Sequence, residues 1–351
     1  MRILITGGGG FIGSHIAEFY SQKEISNEIH LIDNLSRGKL LEPDTSLEYT
    51  YNWQYLQKYK NINFFQQNLQ DSDFLNSLIK ENSYDVIFHT AGQTAVSSSL
   101  IYPYSDFKNN VITTLNLLEA VRKSSSNPKL LLCSTNKVYG DNVNNIELVE
   151  KEHRYEFKDK DLKGFSEDFK IDLCHHSPYG TSKLCSDLYF QEYGYSYGLD
   201  TNIFRLSCIY GPRQFAEQGQ GWLVHFIISA LKGSKINIFG NGKQVRDILY
   251  VTDLINAFNS LLEKDMKNEI FCIGGGTNNA ISIIEAIKYI EELLNVNIEC
   301  EFLKCRSADQ LVYISDISKA KRILDWNPKI NPNEGIKKTI DWFKNNFNLF
   351  K

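Results

Sequence analysis

The sequence predicts an α/β fold built on a doubly wound parallel sheet. Three observations predict it: five short apolar runs alternate with helix-length segments, a glycine-rich turn follows the first run, and a polar stretch follows the fifth. Strand and helix alternating in this order suit right-handed crossovers, and open sheets of this kind place their ligands at the carboxyl ends of the strands.

A chain of 351 residues has room for one large or two ordinary domains with a full core. Its formal net charge of −4 carries no sign of a nucleic-acid patch or an acidic tail, so no nucleic-acid partner is expected. Met1-Arg2-Ile3-Leu4-Ile5 enters a strand directly, without a signal peptide. No apolar run nears the roughly 20 residues of a membrane span, so no membrane partner is expected either. The seven cysteines are odd in number, scattered and without a Cys-x-x-Cys pair. That fits buried, reduced thiols in a cytoplasmic protein better than a disulfide framework or a zinc site.

The first run, 2–6, leads into Thr6-Gly7-Gly8-Gly9-Gly10-Phe11-Ile12-Gly13 and a helix over 14–22. Gly7, Gly10 and Gly13 have the spacing that permits a tight turn, close backbone approach to a pyrophosphate and close helix packing. A glycine triplet alone is weak, and Gly8 and Gly9 blur which glycines matter. The second run strengthens it, because Ile29-His30-Leu31-Ile32 ends at Asp33, 20 positions after Gly13. A carboxylate there can accept both hydroxyls of an adenosine ribose and repels a 2′-phosphate, which favours NAD; Arg37 leaves NADP open.

Residues 39–60 lack a clean period and read as a surface excursion with some helix over 53–60. The third run is 62–65, and Asn68 and Leu69 beyond it are placed either to touch an adenine edge or to form a plain loop. Asp71 caps a helix through Leu78 and Ile79. The fourth run, Asp85-Val86-Ile87-Phe88, ends in His89-Thr90-Ala91-Gly92, whose small residues let backbone pass near a dinucleotide; His89 reads as a structural hydrogen-bonding residue. A helix over 103–123 carries Val111, Leu115, Leu118 and Val121 on its apolar face. The fifth run, 130–133, opens into Ser134-Thr135-Asn136-Lys137-Val138-Tyr139-Gly140. A hydroxyl, an amide and an ammonium in succession are costly to bury without partners, so this is either a solvated strand exit or a ligand site.

Residues 141–176 are charged and irregular, which reads as a solvated excursion, with a lid as the second possibility. His175 and His176 point in different directions and have no acid or cysteine at ligand spacing, so no metal is expected. In Ser177-Pro178-Tyr179-Gly180-Thr181-Ser182-Lys183, Pro178 suits the first turn of a helix through Leu184, Leu188 and Tyr193. Tyr179 and Lys183 then share one helical face. A phenol ionises near about 10 in water, and a neighbouring ammonium or the positive nicotinamide of an oxidised cofactor favours the phenolate. Such a pair is common by chance; beside a dinucleotide turn and a hydroxyl at the end of the fifth strand, it reads as catalytic.

Thr6-Gly-x-x-Gly10-x-x-Gly13, Asp33, Thr135 and Tyr179-x-x-x-Lys183 together resemble the extended short-chain dehydrogenase/reductase family of nucleotide-sugar epimerases and dehydratases, over nearly the whole chain. Within it, Asp33-Asn34-Leu35-Ser36-Arg37, the stretch 134–141, Ser207-Cys208-Ile209-Tyr210-Gly211-Pro212-Arg213-Gln214-Phe215 and Gly242-Lys243-Gln244-Val245-Arg246-Asp247 are similar to the CDP-paratose 2-epimerases. The resemblance implies a Rossmann-type NAD-binding domain over 1–205 plus about 248–272, and a smaller C-terminal nucleotide-sugar-binding domain over about 206–247 plus 273–351. It implies NAD contacts from Gly7, Gly10, Phe11, Ile12, Gly13, Asp33, Asn34, Ser36, Arg37, Asn68, Leu69, Ala91, Asn110, Tyr179 and Lys183. Thr135 and Tyr179 would bond the sugar hydroxyl being oxidised, with Tyr179 as base and Lys183 lowering its pKa. Asn136, Lys137, Ser207, Cys208, Gln244, Arg246 and Arg306 would contact the substrate. The two arginines would grip its diphosphate, since a planar guanidinium suits phosphate bidentately; the plain alternative for each is a surface salt bridge. A homodimer or homotetramer is implied, with a CDP-sugar as the favoured substrate.

Several positions depart from the family pattern: 39–52 is expanded, Asn68 stands where Asp is commoner, and Thr113 replaces a usual Gly. Cys208 stands where many relatives carry a substrate-binding Asn, although a Ser-Cys pair occurs in the 2-epimerases. The implied reaction is an epimerisation in which NAD stores a hydride taken from C2 of a 3,6-dideoxyhexose and returns it to the opposite face. A UDP-sugar 4-epimerase would share every catalytic residue. A 4,6-dehydratase would carry an Asp-Glu pair right after the catalytic hydroxyl, where this chain has Asn136 and Lys137. A non-catalytic dinucleotide-binding protein could lose Tyr179 and Lys183 without harm, and here both are present.

Overall fold

The structure is a computed structural model that describes residues 1–37, 46–217, 219–264, 266–306 and 309–350. Its first part alternates as the apolar runs require: β1 (Arg2–Thr6), α1 (Phe11–Lys23), β2 (Glu28–Asp33), α2 (Ser46–Leu56), β3 (Ile62–Gln66), α3 (Ser72–Glu81) and β4 (Val86–His89). Helices α4 (Val96–Ile101), α5 (Pro103–Phe107) and α6 (Thr113–Lys123) lead to β5 (Lys129–Thr135). Ile3, Leu4 and Ile5 of β1 are wholly buried, each burial contributing about 1.5–3 kcal/mol relative to exposure. Asp71 caps α3 as expected, its carboxylate accepting from the Phe74 amide at 3.0 Å.

Two expectations in this part need correcting. The excursion at 39–60 holds its helix earlier, at α2, because Trp53 and Leu56 turn inward; residues 39–45 of the expanded stretch lie outside the described residues. The expected helix 103–123 is interrupted by a π-turn over Lys108–Ile112, where the Thr113 and Thr114 hydroxyls donate to the Asn109 and Asn110 carbonyls at 2.7 and 2.6 Å and loosen the backbone ladder.

The second part runs β6 (Leu148–Glu150), β7 (Tyr155–Phe157), α7 (Ser177–Tyr197), β8 (Thr201–Leu206), β9 (Cys208–Tyr210), α8 (Trp222–Leu231), β10 (Ile236–Phe239), β11 (Val245–Tyr250), α9 (Val251–Leu262) and β12 (Glu269–Ile273). It ends with β13 (Ala280–Ser282), α10 (Ile283–Leu294), β14 (Cys300–Leu303), β15 (Val312–Tyr313), α11 (Ser318–Leu324) and α12 (Pro332–Asn345). A capping box between Ser282 and Glu285 starts α10 directly after Ala280–Ser282 has paired with β11. Residues 141–176 are more than a solvated excursion. They contain the β6–β7 hairpin, and Phe165 is buried with its ring 5.5 Å from that of Tyr313.

The central sheet has seven parallel strands in the order β12-β8-β5-β4-β1-β2-β3. Chain order reverses between β1 and β4, which pair Thr6 with His89. That is the switch point where such sheets bind dinucleotides. A second sheet sets β11 between β13 and β15, with β9 also on β11.

By packing, the chain forms two compact units: 1–134 with 181–204 and 265–270, and 135–180 with 205–264 and 271–351. Residues 135–180 and α9, which the resemblance put with the first domain, therefore pack with the second. Tyr139 stacks on Tyr313, and α9 continues straight out of β11. The cysteines described are all free, but Cys305 is exposed and only Cys133 and Cys272 are fully buried, so the expectation of buried thiols holds for two. Among the described residues no helix is long and apolar enough to cross a membrane, and no cluster of His, Cys, Asp or Glu could hold a metal ion.

Candidate active site

The glycine turn sits between β1 and α1, at the sheet's switch point. Gly7 takes a φ of +71°, and a side chain there would run into the Ala91 backbone within 2.6–2.7 Å. Gly13 is enclosed likewise, by the Gly7 carbonyl at 2.4 Å from where a Cβ would stand. Gly10 differs: the Gly7 carbonyl at 3.1 Å is the single neighbour its Cβ would meet. Gly10 is also the N-cap of α1, with no capping side chain and no acid in the first turn, so the amides opening that helix suit an anion. Asp33 ends β2, and its two oxygens accept from the Gly9 and Leu35 amides at 2.9 and 2.8 Å. Burial raises its pKa, opposed by those amides and by Arg37. Lone pairs remain on both oxygens for ribose hydroxyls, so these residues fit NAD.

Other expected cofactor residues also make contacts within the chain. Leu69 packs into the apolar core, and Asn68 closes a turn by accepting from the Gln70 amide at 3.0 Å. Asn34 likewise accepts from the Ser36 amide. Asn110 is buried, with its amide spent on Gln93 N, Gln93 O and Ser182 Oγ at 2.8, 3.2 and 2.8 Å. It braces the loop after β4 against α7, and its side chain has little left for a cofactor. His89 is structural as expected, bonded to Thr6 and Thr114 hydroxyls at 2.8 and 3.1 Å.

Thr135 is the last residue of β5, and 136–139 form a 3₁₀ turn that its hydroxyl caps, accepting from the Lys137 amide at 3.3 Å. Tyr179 is buried one turn before Lys183 on α7. Gly180, beside it, allows the close packing of that first turn: a Cβ there would meet the Lys137 carbonyl at 2.9 Å. The Lys183 ammonium donates to the Cys133 carbonyl at 2.7 Å. Burial lowers its pKa, resisted by Cys133, Asp187 and Asp106. Asp106, itself buried, receives the Ser182 hydroxyl at 2.5 Å.

The expected substrate residues fall in the second unit. Arg246 is buried, pairs with Asp309 through Nη2 at 2.8 Å and donates to its neighbouring Val245 carbonyl. Arg306 lies over the Phe239 ring, 3.9 Å from its centroid, and partial desolvation lowers its pKa. Lys137 donates to Gln310 Oε1 at 3.2 Å. Desolvation, with the Arg246 charge, pushes its pKa down to about 8. Cys208 accepts from the Trp222 indole at 3.4 Å, and Ser207 spends its hydroxyl hydrogen on Asp247. Gln244 donates to the Phe239 carbonyl while its buried Oε1 has no hydrogen-bond partner among the described residues. Sequence reasoning missed Gln310 and Asp247 and gave Asp309 no role. Asp309 is the carboxylate that pairs with Arg246, whereas Gln310 carries no local signal.

The family model described as GDP-mannose 4,6 dehydratase matches residues 4–339. The chain belongs to this family, within the extended short-chain dehydrogenase/reductases, whose cofactor is NAD and whose enzymes are nucleotide-sugar epimerases and dehydratases. It is 38% identical to the CDP-paratose 2-epimerase of Salmonella typhi, over 97% of this chain and 99% of that protein. It is 32% identical to a UDP-glucuronate 4-epimerase of Thermodesulfobacterium geofontis, over 99% of this chain and 98% of that one. Among solved structures, the UDP-glucuronic acid 4-epimerase of Bacillus cereus in complex with UDP-glucuronic acid and NAD superposes with a TM-score of 0.82 at 28% identity, over 98% of this chain and 99% of that one.

Proposed function

We propose that the protein inverts C2 of a CDP-activated 3,6-dideoxyhexose, as a CDP-paratose 2-epimerase, with Thr135, Tyr179 and Lys183 as its catalytic residues. One observation carries the choice of epimerisation: after Thr135 the chain places Asn136 and Lys137, and both give a hydrogen to the same Gln310 oxygen. The nucleotide and the sugar rest on the likeness to the Salmonella enzyme. Bound NAD supplies the hydride acceptor and donor. The Tyr179 phenolate takes the proton of the C2 hydroxyl while Thr135 holds that oxygen, and Lys183 keeps the phenol acidic. The resulting 2-ketosugar turns its other face, and Tyr179 returns the proton as the hydride comes back. Gly10, Gly13 and Asp33 hold the cofactor; Arg246 and Arg306 hold the diphosphate. Inversion at C4 of a UDP-sugar is the second possibility, favoured by the likeness to UDP-sugar 4-epimerases and served by the same three residues.

We further propose a homo-oligomer, since Leu100, Ile101 and Tyr104 on α4 and α5, and Leu188 and Tyr195 on α7, are large apolar side chains left exposed within one unit. The deciding experiment is NMR of the products formed from CDP- and UDP-hexoses in deuterated water, with wild-type protein and Tyr179→Phe. The expected result is inversion at C2 without solvent deuterium at that carbon and without added NAD, and a Tyr179→Phe protein that keeps its NAD but turns nothing over. Deuterium at the inverted carbon, or near-normal Tyr179→Phe turnover, overturns the mechanism.

A further inference from the structure

Gln310 is fully buried, and its side-chain amide is spent on one short segment 170 to 174 positions away. Oε1 accepts from Asn136 Nδ2 and from Lys137 Nζ, each at 3.2 Å. Nε2 donates to the Gly140 carbonyl at 3.0 Å and, at 3.5 Å, to that of Asn136. Its own backbone amide donates to Asp309 Oδ1 at 3.0 Å, the oxygen that pairs with Arg246. One residue thus ties the strand exit to the arginine–carboxylate pair.

A carboxamide is the group this place requires. Its oxygen meets two donors and its nitrogen meets two carbonyls, whereas a hydrocarbon would leave those partners buried and unpaired. A carboxylate would serve the two donors but turn lone pairs on Gly140. Lys137 also needs holding in place: Arg246 and Arg306 repel its ammonium, and Asp309 attracts it. We propose that Gln310 is a positioning residue for the epimerisation, fixing the Asn136 amide and the Lys137 ammonium for the sugar and so helping to set which sugar is accepted. It rests on the proposed assignment of Asn136 and Lys137 to the substrate.

The test uses the NAD-containing protein, wild type and the variants Gln310→Ala, Gln310→Glu, Lys137→Met and Lys137→Met/Gln310→Ala. Competitive acetylation with acetic anhydride across pH, read by peptide mass, titrates Lys137 without needing any activity. The wild-type midpoint is expected near 8. Loss of the acceptor in Gln310→Ala should lower it by about half a unit or more, and the new charge in Gln310→Glu should raise it by about one unit or more. With the nucleotide sugar that the wild type turns over, kcat in Gln310→Ala should fall about tenfold or more with KM within about twofold, and the double variant should be no slower than Lys137→Met. A Lys137 midpoint unmoved in the variants, or losses that multiply in the double variant, overturns the proposal. Should Gln310→Ala not fold, the rise in Gln310→Glu decides. If no nucleotide sugar is turned over by the wild type, the proposed function fails, and the acetylation midpoints still decide whether Gln310 positions Lys137.

Discussion

The two glycines at the start of α1 should separate fold stability from cofactor retention. In Gly13→Ala the new methyl would lie 2.4 Å from the Gly7 carbonyl, 2.8 Å from Thr90 Oγ1 and 2.9 Å from the Gly8 Cα. Two of those atoms are backbone, and the Thr90 hydroxyl is held on the Thr6 carbonyl at 2.7 Å, so none can yield cheaply. Overpacking of this kind costs about 1–3 kcal/mol, which for a chain of 351 residues lowers Tm by about 1–2 °C per kcal/mol. In Gly10→Ala one neighbour stands at 3.1 Å, a contact relieved by a shift of a few tenths of an ångström. Its Tm in NAD-free protein should stay within about 1 °C of wild type, because the methyl meets so little. The same methyl would project over the uncapped helix start and fend off the pyrophosphate, lowering NAD affinity about tenfold or more, or 1.4 kcal/mol. Differential scanning fluorimetry of NAD-stripped proteins gives the first quantity, and chromatography of the nucleotide released on denaturation gives the second. A Gly13→Ala protein with wild-type Tm, or a Gly10→Ala protein purified with a full complement of NAD, refutes this account of the turn.

Acid stability should depend on His89, whose pKa burial pushes down to about 3, with the Lys183 ammonium adding to the effect. Between that value and about 6.5 the unfolded chain binds a proton that the folded chain does not, so stability falls as pH drops, by about 2 kcal/mol from pH 7 to pH 5. Urea unfolding at the two pH values should show a smaller drop in His89→Gln; an equal drop would mean that other groups govern it. If the protein is the proposed homo-oligomer, Ile101→Glu/Tyr104→Glu should lower its mass to that of a monomer in light scattering while leaving Tm of the NAD-bound protein within about 3 °C, since both side chains are mainly exposed. An unchanged mass would put the interface elsewhere.

What could be read from the sequence was whatever is encoded locally. The turn after β1 and the distance from Gly13 to Asp33 are fixed by covalent spacing, and Tyr179 and Lys183 meet by helical period alone. Asn110 illustrates the limit. An asparagine in a helix next to a proposed site has the same letter whether its amide faces a ligand or, as here, Gln93 and Ser182. Leu69 follows the same logic, since the core cluster it joins is drawn from distant segments, among them Leu4, Leu118 and Leu130. The region 141–176 looked solvated because charge dominates its composition. Phe165 is buried there with its ring stacked on Tyr313, far along the chain, and Phe157 packs edge-on against Phe165. Gln310 lay beyond reach for the strongest reason: a buried polar residue is recognisable by its partners, and every one its side chain bonds is at least 170 positions away.

Membership of a family that contains both dehydratases and epimerases leaves the two reactions to be told apart by the residues after Thr135. Elimination of water across two carbons needs a group that can take a proton and another that can give one to the departing hydroxyl. Asn136 offers an amide, which does neither at any ordinary pH. Lys137, its pKa pushed down to about 8, is mostly an ammonium at pH 7: it can bond to oxygen or give a proton, but Asn136 beside it cannot take the one that elimination must remove. Both also commit a hydrogen to Gln310, which fixes them as donors facing a common acceptor rather than as an acid and base of opposed character. Such a segment can hold a hydroxyl or steady the oxygen of a ketosugar while it turns, which is all that a redox-neutral inversion asks of residues outside the Thr135, Tyr179 and Lys183 set. The replacement of two carboxylates by an amide and an ammonium, locked together by one buried glutamine, is therefore the physical ground for placing this chain among the epimerases.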